Sequence, residues 1–311
     1  MRKYLLKFLA FFCLLVLING SLLFFVPKDN NNYLCEYNDK IELLKKVEQP
    51  RIVFIGGSSI PFGTNSQTIK DSLKMNVVDF GLHSGIGIRI PIEDYLSNAK
   101  RGDIAVLQIE YAEFFTGGVG EQETLLPFLI STDWSTLNLL NSSQMMIVVR
   151  GIPHVAYGNM RRLLSYLSTK SFDKEVSSVT FSYTRSGFNE YGDEVSHLNY
   201  PNQPELQKSE GKERIVNEDF IIWLDKMLKR YEDAGVVVLM VPPVCTKSLF
   251  EVAYSESIEK ALKRINRPYV VNPTYMVLDD SCKFNTGYHV DKNGVKQNTE
   301  HLISILNKTL K

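Results

Sequence analysis

The stretch Arg51-Ile-Val-Phe-Ile-Gly-Gly-Ser-Ser-Ile-Pro-Phe-Gly63 runs a short β-branched segment straight into two glycines and two serines. A continuous apolar run of this length reads as a strand buried on both faces. The Gly-Gly-Ser-Ser segment after Ile55 has three readings: a plain strand-to-helix turn, a phosphate cradle, or the seat of a nucleophile. A cradle needs the Gly-Lys-Ser/Thr ending of a P-loop or a GxGxxG run, and neither is present. Glycine permits a tight turn after which Ser58 stands at the cleft with its own backbone N–H turned the same way.

Working outward, strand and helix signals alternate. Gln67–Leu73 suits a helix, Asn76–Phe80 a second strand ending at Gly81, Pro91–Ala99 a helix, and Ile104–Ile109 a third strand. Asp219–Asp233 carries Phe220, Trp223, Leu224, Met227, Leu228 and Tyr231 at helical spacing and closes on Ala234-Gly235. A strand at Val236–Val241, a helix near Ser255–Ile265, a strand at Tyr269–Val271 and a last helix at about Lys292–Leu310 complete the chain. This alternation predicts an α/β protein with a parallel sheet covered on both sides. Between Glu113 and Asn217 the pattern loosens, which reads as an insertion at about 113–217 on the sheet's C-terminal rim.

The N-terminus is different in kind. No residue from Phe8 to Val26 is charged, and 19 helical residues span about 28 Å, close to a bilayer's hydrocarbon thickness. Arg2, Lys3 and Lys7 precede the run, so residues 1–27 read as an anchor with a cytoplasmic N-terminus, the main domain lying outside. Secretion after signal-peptide cleavage is the alternative, although no small-residue site ends the run. Residues 28–50 are polar and read as a tether with a short helix near Lys40–Val47, leaving 51–311 as the folded domain.

Composition is that of a globular protein, 44% hydrophobic and 23% charged among 311 residues. Formal charge is zero, with 35 basic and 35 acidic residues and no basic block, which argues against nucleic acid as a partner. No Cys/His spacing suggests a metal, and no cofactor is expected. An oxidising compartment permits one disulfide among Cys35, Cys245 and Cys282. Cys245 with Cys282 is the candidate pair, and two free thiols are the alternative.

Ligands of parallel α/β sheets collect at the carboxyl ends of the strands, where Ser58 lies. A nucleophilic serine needs a base, and His289, in the loop Asn285-Thr-Gly-Tyr-His-Val-Asp-Lys-Asn-Gly294 before the last helix, can lean toward it. His83, after Gly81-Leu82, can line the same cleft. Glu110, Tyr111 and Tyr288 are candidates for substrate contact, although an aromatic at a strand end such as Tyr111 is more often core.

Together these islands resemble the SGNH/GDSL hydrolases. Phe54-Ile-Gly-Gly-Ser-Ser-Ile60 looks like their first block, with Gly57 where many members have Asp. Val78-Asp-Phe-Gly81 looks like the second, and Tyr288-His289-x-x-x-x-Gly294 like the last. The resemblance implies a three-layer, flavodoxin-like fold with Ser58 as nucleophile and His289 as base. Backbone N–H groups of Ser58 and Gly81 would then form the oxyanion hole. Two departures stand out. Gln108-Ile-Glu110-Tyr111 replaces the third-block Gly-x-Asn-Asp. Thr286 occupies the usual acid position, which leaves Asn285 or Asp280 (or its neighbour Asp279) to orient the histidine.

An anchored domain of this kind is similar in layout to the DltD and alginate O-acetylation proteins. That likeness implies a membrane-tethered serine esterase or O-acyltransferase working on cell-envelope polysaccharide. Its partners would be a cell-surface glycan, an acyl donor and a multi-spanning membrane O-acyltransferase. The alternative is a catalytically silent glycan-binding or scaffolding partner of such an acyltransferase.

Overall fold

The computed structural model describes residues 1–169, 181, 183–203 and 215–310. Four parallel strands form the central sheet: β1 (Arg51–Gly56), β2 (Asn76–Asp79), β3 (Ile104–Gln108) and β4 (Val237–Met240), in the order β2-β1-β3-β4. The register is continuous, Val53 lying beside Val78 on one side and Ala105 on the other.

β1 is apolar throughout because both its faces are covered. Val53 and Ile55 join Val78, Phe80, Ala105 and Leu107 in one core, with Tyr37 and Leu44 of α2 (Glu36–Lys46), Ile90 and Tyr95 of α4 (Arg89–Asn98) and Leu224 of α8 (Glu218–Asp233). Ile52 and Phe54 face the opposite core, with Ile69 of α3 (Ser66–Leu73) and Leu302, Ile305 and Leu306 of α11 (Lys292–Thr309). Each such side chain, fully buried, contributes roughly 1.5–3 kcal/mol.

At the amino ends of β1 and β3 the sheet is stapled by a buried ion pair. Arg51 Nε and Nη2 donate to the two Asp103 carboxylate oxygens at 2.9 and 2.7 Å. Tyr95, Gln49 and the Lys100 N–H donate to the same carboxylate. Burial alone would raise the Asp103 pKa, but these donors, Arg51 foremost, hold it below its ordinary value.

Three expectations need correction. Residues 28–50 are not a free tether: α2 is packed into the fold, and Lys40, fully buried, donates to Asp79 and to the Gly192 carbonyl. Tyr269–Val271 forms no strand. The Val270 N–H donates to the Met240 carbonyl beside β4, and Pro273 two residues beyond Val271 opens a 3-10 turn. Cys245 and Cys282 are separate buried thiols in different core clusters, and Cys35 is free as well.

The remaining elements are α5 (Glu113–Thr116), α6 (Gln122–Ser131), α7 (Ser142–Thr169), β5 (Cys245–Thr246), α9 (Lys247–Ala253), α10 (Glu256–Arg264), β6 (Val277–Leu278), β7 (Lys283–Thr286) and β8 (His289–Val290). β7 and β8 pair as an antiparallel hairpin. The N-terminal α1 (Arg2–Phe24) is largely exposed, with Leu23 its one buried residue, and is long and apolar enough to cross a membrane.

Candidate active site

The chain turns after β1 so that Ser58 stands at the carboxyl end of the sheet, 9% exposed. Glycine at position 57 leaves room for Glu110, because a Cβ there would lie 2.4 Å from a Glu110 carboxylate oxygen and the side chain would have to shift. A side chain at position 57 and Glu110 would therefore compete for the same space.

His289 arrives from the other end of the chain, 231 residues away, on a platform built by local rules. The β7–β8 hairpin sets Thr286 opposite His289, and the Thr286 hydroxyl accepts the His289 and Tyr288 backbone N–H groups. Asp291 then caps α11 by accepting the Gly294 N–H at 2.9 Å. Thr286 therefore serves as a turn cap and leaves the orienting of the ring to its neighbour across the hairpin.

That neighbour is Asn285. Its Oδ1 lies 2.8 Å from His289 Nδ1, and Nε2 of the same ring lies 2.8 Å from Ser58 Oγ. With Nδ1–H donated to the amide oxygen, Nε2 is free to accept the serine proton. Asn285 Nδ2 donates to Tyr183 Oη at 2.8 Å, which turns the amide oxygen toward the histidine. The imidazole stacks on Phe62 with centroids 4.0 Å apart and an interplanar angle of 12°. Burial, with His197 and His83 adding to it, pushes the His289 pKa well below 6.5, so the ring is a neutral base at pH 7.

The other expected residues divide. Asp280 is spent elsewhere: its carboxylate accepts the Ser248 N–H and hydroxyl. The Gly81 N–H donates to Asp79 Oδ1 at 2.8 Å and so is not free for an oxyanion. Glycine is needed at 81 for space, since a Cβ would lie 2.7 Å from the Gly57 carbonyl oxygen. Among the described residues the Ser58 N–H makes no backbone hydrogen bond. Tyr111 is fully buried against Phe250 and Tyr254 and belongs to the core, not to a substrate platform. Tyr288 Oη accepts the Tyr111 N–H, which ties the hairpin to the end of β3. His83 accepts the Gly85 N–H through Nδ1, and burial lowers its pKa to about 4.

Glu110 lies in the site. Oε1 accepts the Ser59 N–H at 3.0 Å, and the carboxyl group is within reach of the Ser84 and Ser58 hydroxyls. Burial raises its pKa, against the opposing pull of the Ser59 N–H. Glu113, one turn on, is raised to about 8 by burial and by the Glu110 charge.

Sequence patterns alone do not single out Tyr183 and His197. His197 braces the platform: Nδ1 meets Glu194 at 2.5 Å and Nε2 meets the Val290 carbonyl at 3.0 Å, next in the chain to His289. Both come from the loosely patterned insertion. In the same segment Asp193 holds the first turn of α3 through the Ser66 N–H and hydroxyl.

Among known proteins, no family model matches the chain and no curated sequence matches it.

Proposed function

We propose that the chain is a membrane-tethered serine esterase or O-acyltransferase of SGNH type, with its folded domain outside the cytoplasm and cell-envelope polysaccharide as the acceptor class. The observation that carries this reading is the relay Ser58 Oγ–His289 Nε2, His289 Nδ1–Asn285 Oδ1, both steps at 2.8 Å. The sheet order, with a serine after β1 and a histidine before α11, supports the SGNH assignment.

In this mechanism Ser58 Oγ attacks an ester carbonyl while its proton passes to His289 Nε2. The bond to the leaving oxygen breaks as Nε2 returns the proton to it, and the acyl group stays on Ser58. A water or sugar hydroxyl then attacks the acyl-enzyme, giving its proton to the same nitrogen, and the acyl–Oγ bond breaks as Nε2 returns that proton to Ser58 Oγ. The Ser58 N–H supplies one oxyanion donor. Glu110, whose pKa burial raises, supplies in its protonated form the side-chain donor that an asparagine gives in the family it resembles. Asn285 orients the imidazole but brings no charge to stabilise imidazolium.

Three observations favour a second reading, a silent SGNH-like partner of a membrane acyltransferase. These are the amide in place of a carboxylate, the occupied Gly81 N–H and the carboxyl group beside Ser58. Fluorophosphonate labelling of the full chain in detergent separates the two. The enzyme reading expects a labelled Ser58 that is lost in Ser58→Ala. An unlabelled wild type, or equal labelling of the variant, selects the second.

A further inference from the structure

Helix α7 is 28 residues long and divides into three faces. One face, including Gln144, Val148, Gly151 and Ala156, is buried. A second is apolar and exposed: Met145, Val149, Met160, Leu164 and Leu167 recur at helical spacing, the last two 58% and 60% exposed. A third carries Arg150, His154 and Arg161, and no acidic residue occurs between Ser142 and Thr169. The stripe from Met145 to Leu167 spans about 33 Å at 1.5 Å per residue, interrupted midway by Pro153 and the buried Ala156. A helix with an apolar stripe this long and a basic flank suits the boundary between headgroups and acyl chains.

The position of α7 says what covers the stripe. Asn159 Nδ2 donates to the Leu22 carbonyl and Arg162 to the Pro27 carbonyl, so α7 is fixed where α1 ends. At the same junction Phe24 packs on Trp134 with ring centroids 5.5 Å apart, and Phe25 is 84% exposed. Aromatic side chains of this kind favour the membrane–water interface. The exposed apolar surface of α1 thus runs on into that of α7.

We infer that α7 is a second membrane contact, lying in the interfacial layer of the bilayer that α1 enters, its stripe in the acyl boundary and its arginines toward anionic phosphates. This rests on α1 residing in a membrane and not on the chemistry at Ser58. The consequence is a folded domain held against the lipid surface at two elements, with a restricted orientation.

The test uses the full chain carrying Cys13→Ser in nanodiscs of phosphatidylglycerol and phosphatidylcholine. Spin labels are placed singly at Val149→Cys, Leu164→Cys and, as control, Lys229→Cys on α8. Labels at 149 and 164 are expected to collide preferentially with oxygen, and the label at 229 with a water-soluble nickel chelate. Nickel access at 149 and 164 equal to that at 229 overturns the inference. Shielding from both reagents overturns it too, because another protein surface then covers the stripe. With the unsubstituted chain, brominated acyl chains are expected to quench a fluorescence component that Trp134→Phe removes. An unquenched Trp134 counts against the inference independently.

Discussion

Glu110 gives the most exposed test of the proposed chemistry, because a carboxylate and a carboxylic acid at that place act in opposite directions. Ionised, it would repel an oxyanion forming next to Ser58; neutral, it donates to it. Ordinary values, 4.5 for glutamate and 6.5 for histidine, leave no pH at which Glu110 is mostly protonated and His289 mostly free base. Burial moves the two toward a usable window, raising Glu110 and lowering His289. The rate of Ser58 labelling should therefore be bell-shaped. The acid limb, below pH 6.5, is His289 gaining its proton, and the alkaline limb is Glu110 losing its own. Losing one oxyanion donor costs about 10²–10³ in rate, so Glu110→Ala should fall by roughly that factor. Glu110→Gln keeps an acceptor for the Ser59 N–H and an amide donor that does not titrate. It should stay within about tenfold of wild type, about 1.4 kcal/mol, and should lose the Glu110 limb. The assay is fluorophosphonate labelling under pseudo-first-order conditions from about pH 4 to 9, with circular dichroism of each variant as the fold control. If Gln and Ala lose equal activity, or the Gln variant keeps the alkaline limb unchanged, the reasoning is wrong.

Two further outcomes come from the geometry. Tyr183→Phe removes the acceptor that turns the Asn285 amide; the loss of one hydrogen bond, about 1 kcal/mol, should slow labelling roughly fivefold, and Asn285→Asp, which cannot flip, should be insensitive to it. Asp103→Asn leaves Arg51 buried against a neutral partner, so urea denaturation should show a loss of about 3–5 kcal/mol with Ser58 labelling of the folded fraction unchanged.

Much of the frame is legible in the sequence because the strands are buried on both faces and so stand out as unbroken apolar runs. Val53 and Phe54 belong to different cores, yet both must be apolar. Ser58 and His289 are legible for a related reason: each sits at a boundary that turn and cap residues mark. The hidden part is polar residues in buried roles. The polar composition of residues 28–50 reads as a tether, yet Lys40 is sealed against Asp79 and the helix that carries it is packed. The resemblance of Val78-Asp-Phe-Gly81 to a second block implies an oxyanion donor at Gly81, but Asp79 two residues earlier takes that hydrogen. Tyr183 reaches His289 across 106 residues from a segment with no periodicity, and periodicity cannot register such a contact.

The stacking of Phe62 on His289 has a kinetic consequence. With one ring face covered and Nδ1 held by Asn285, the imidazole cannot swing between two proton partners on different sides. In the proposed reaction the same Nε2 must serve the departing oxygen and then the incoming hydroxyl, at one place. The first product has to leave before the acceptor can take its position. Such a site dictates a double-displacement order, visible as parallel lines when initial rates are plotted reciprocally against one substrate at fixed levels of the other.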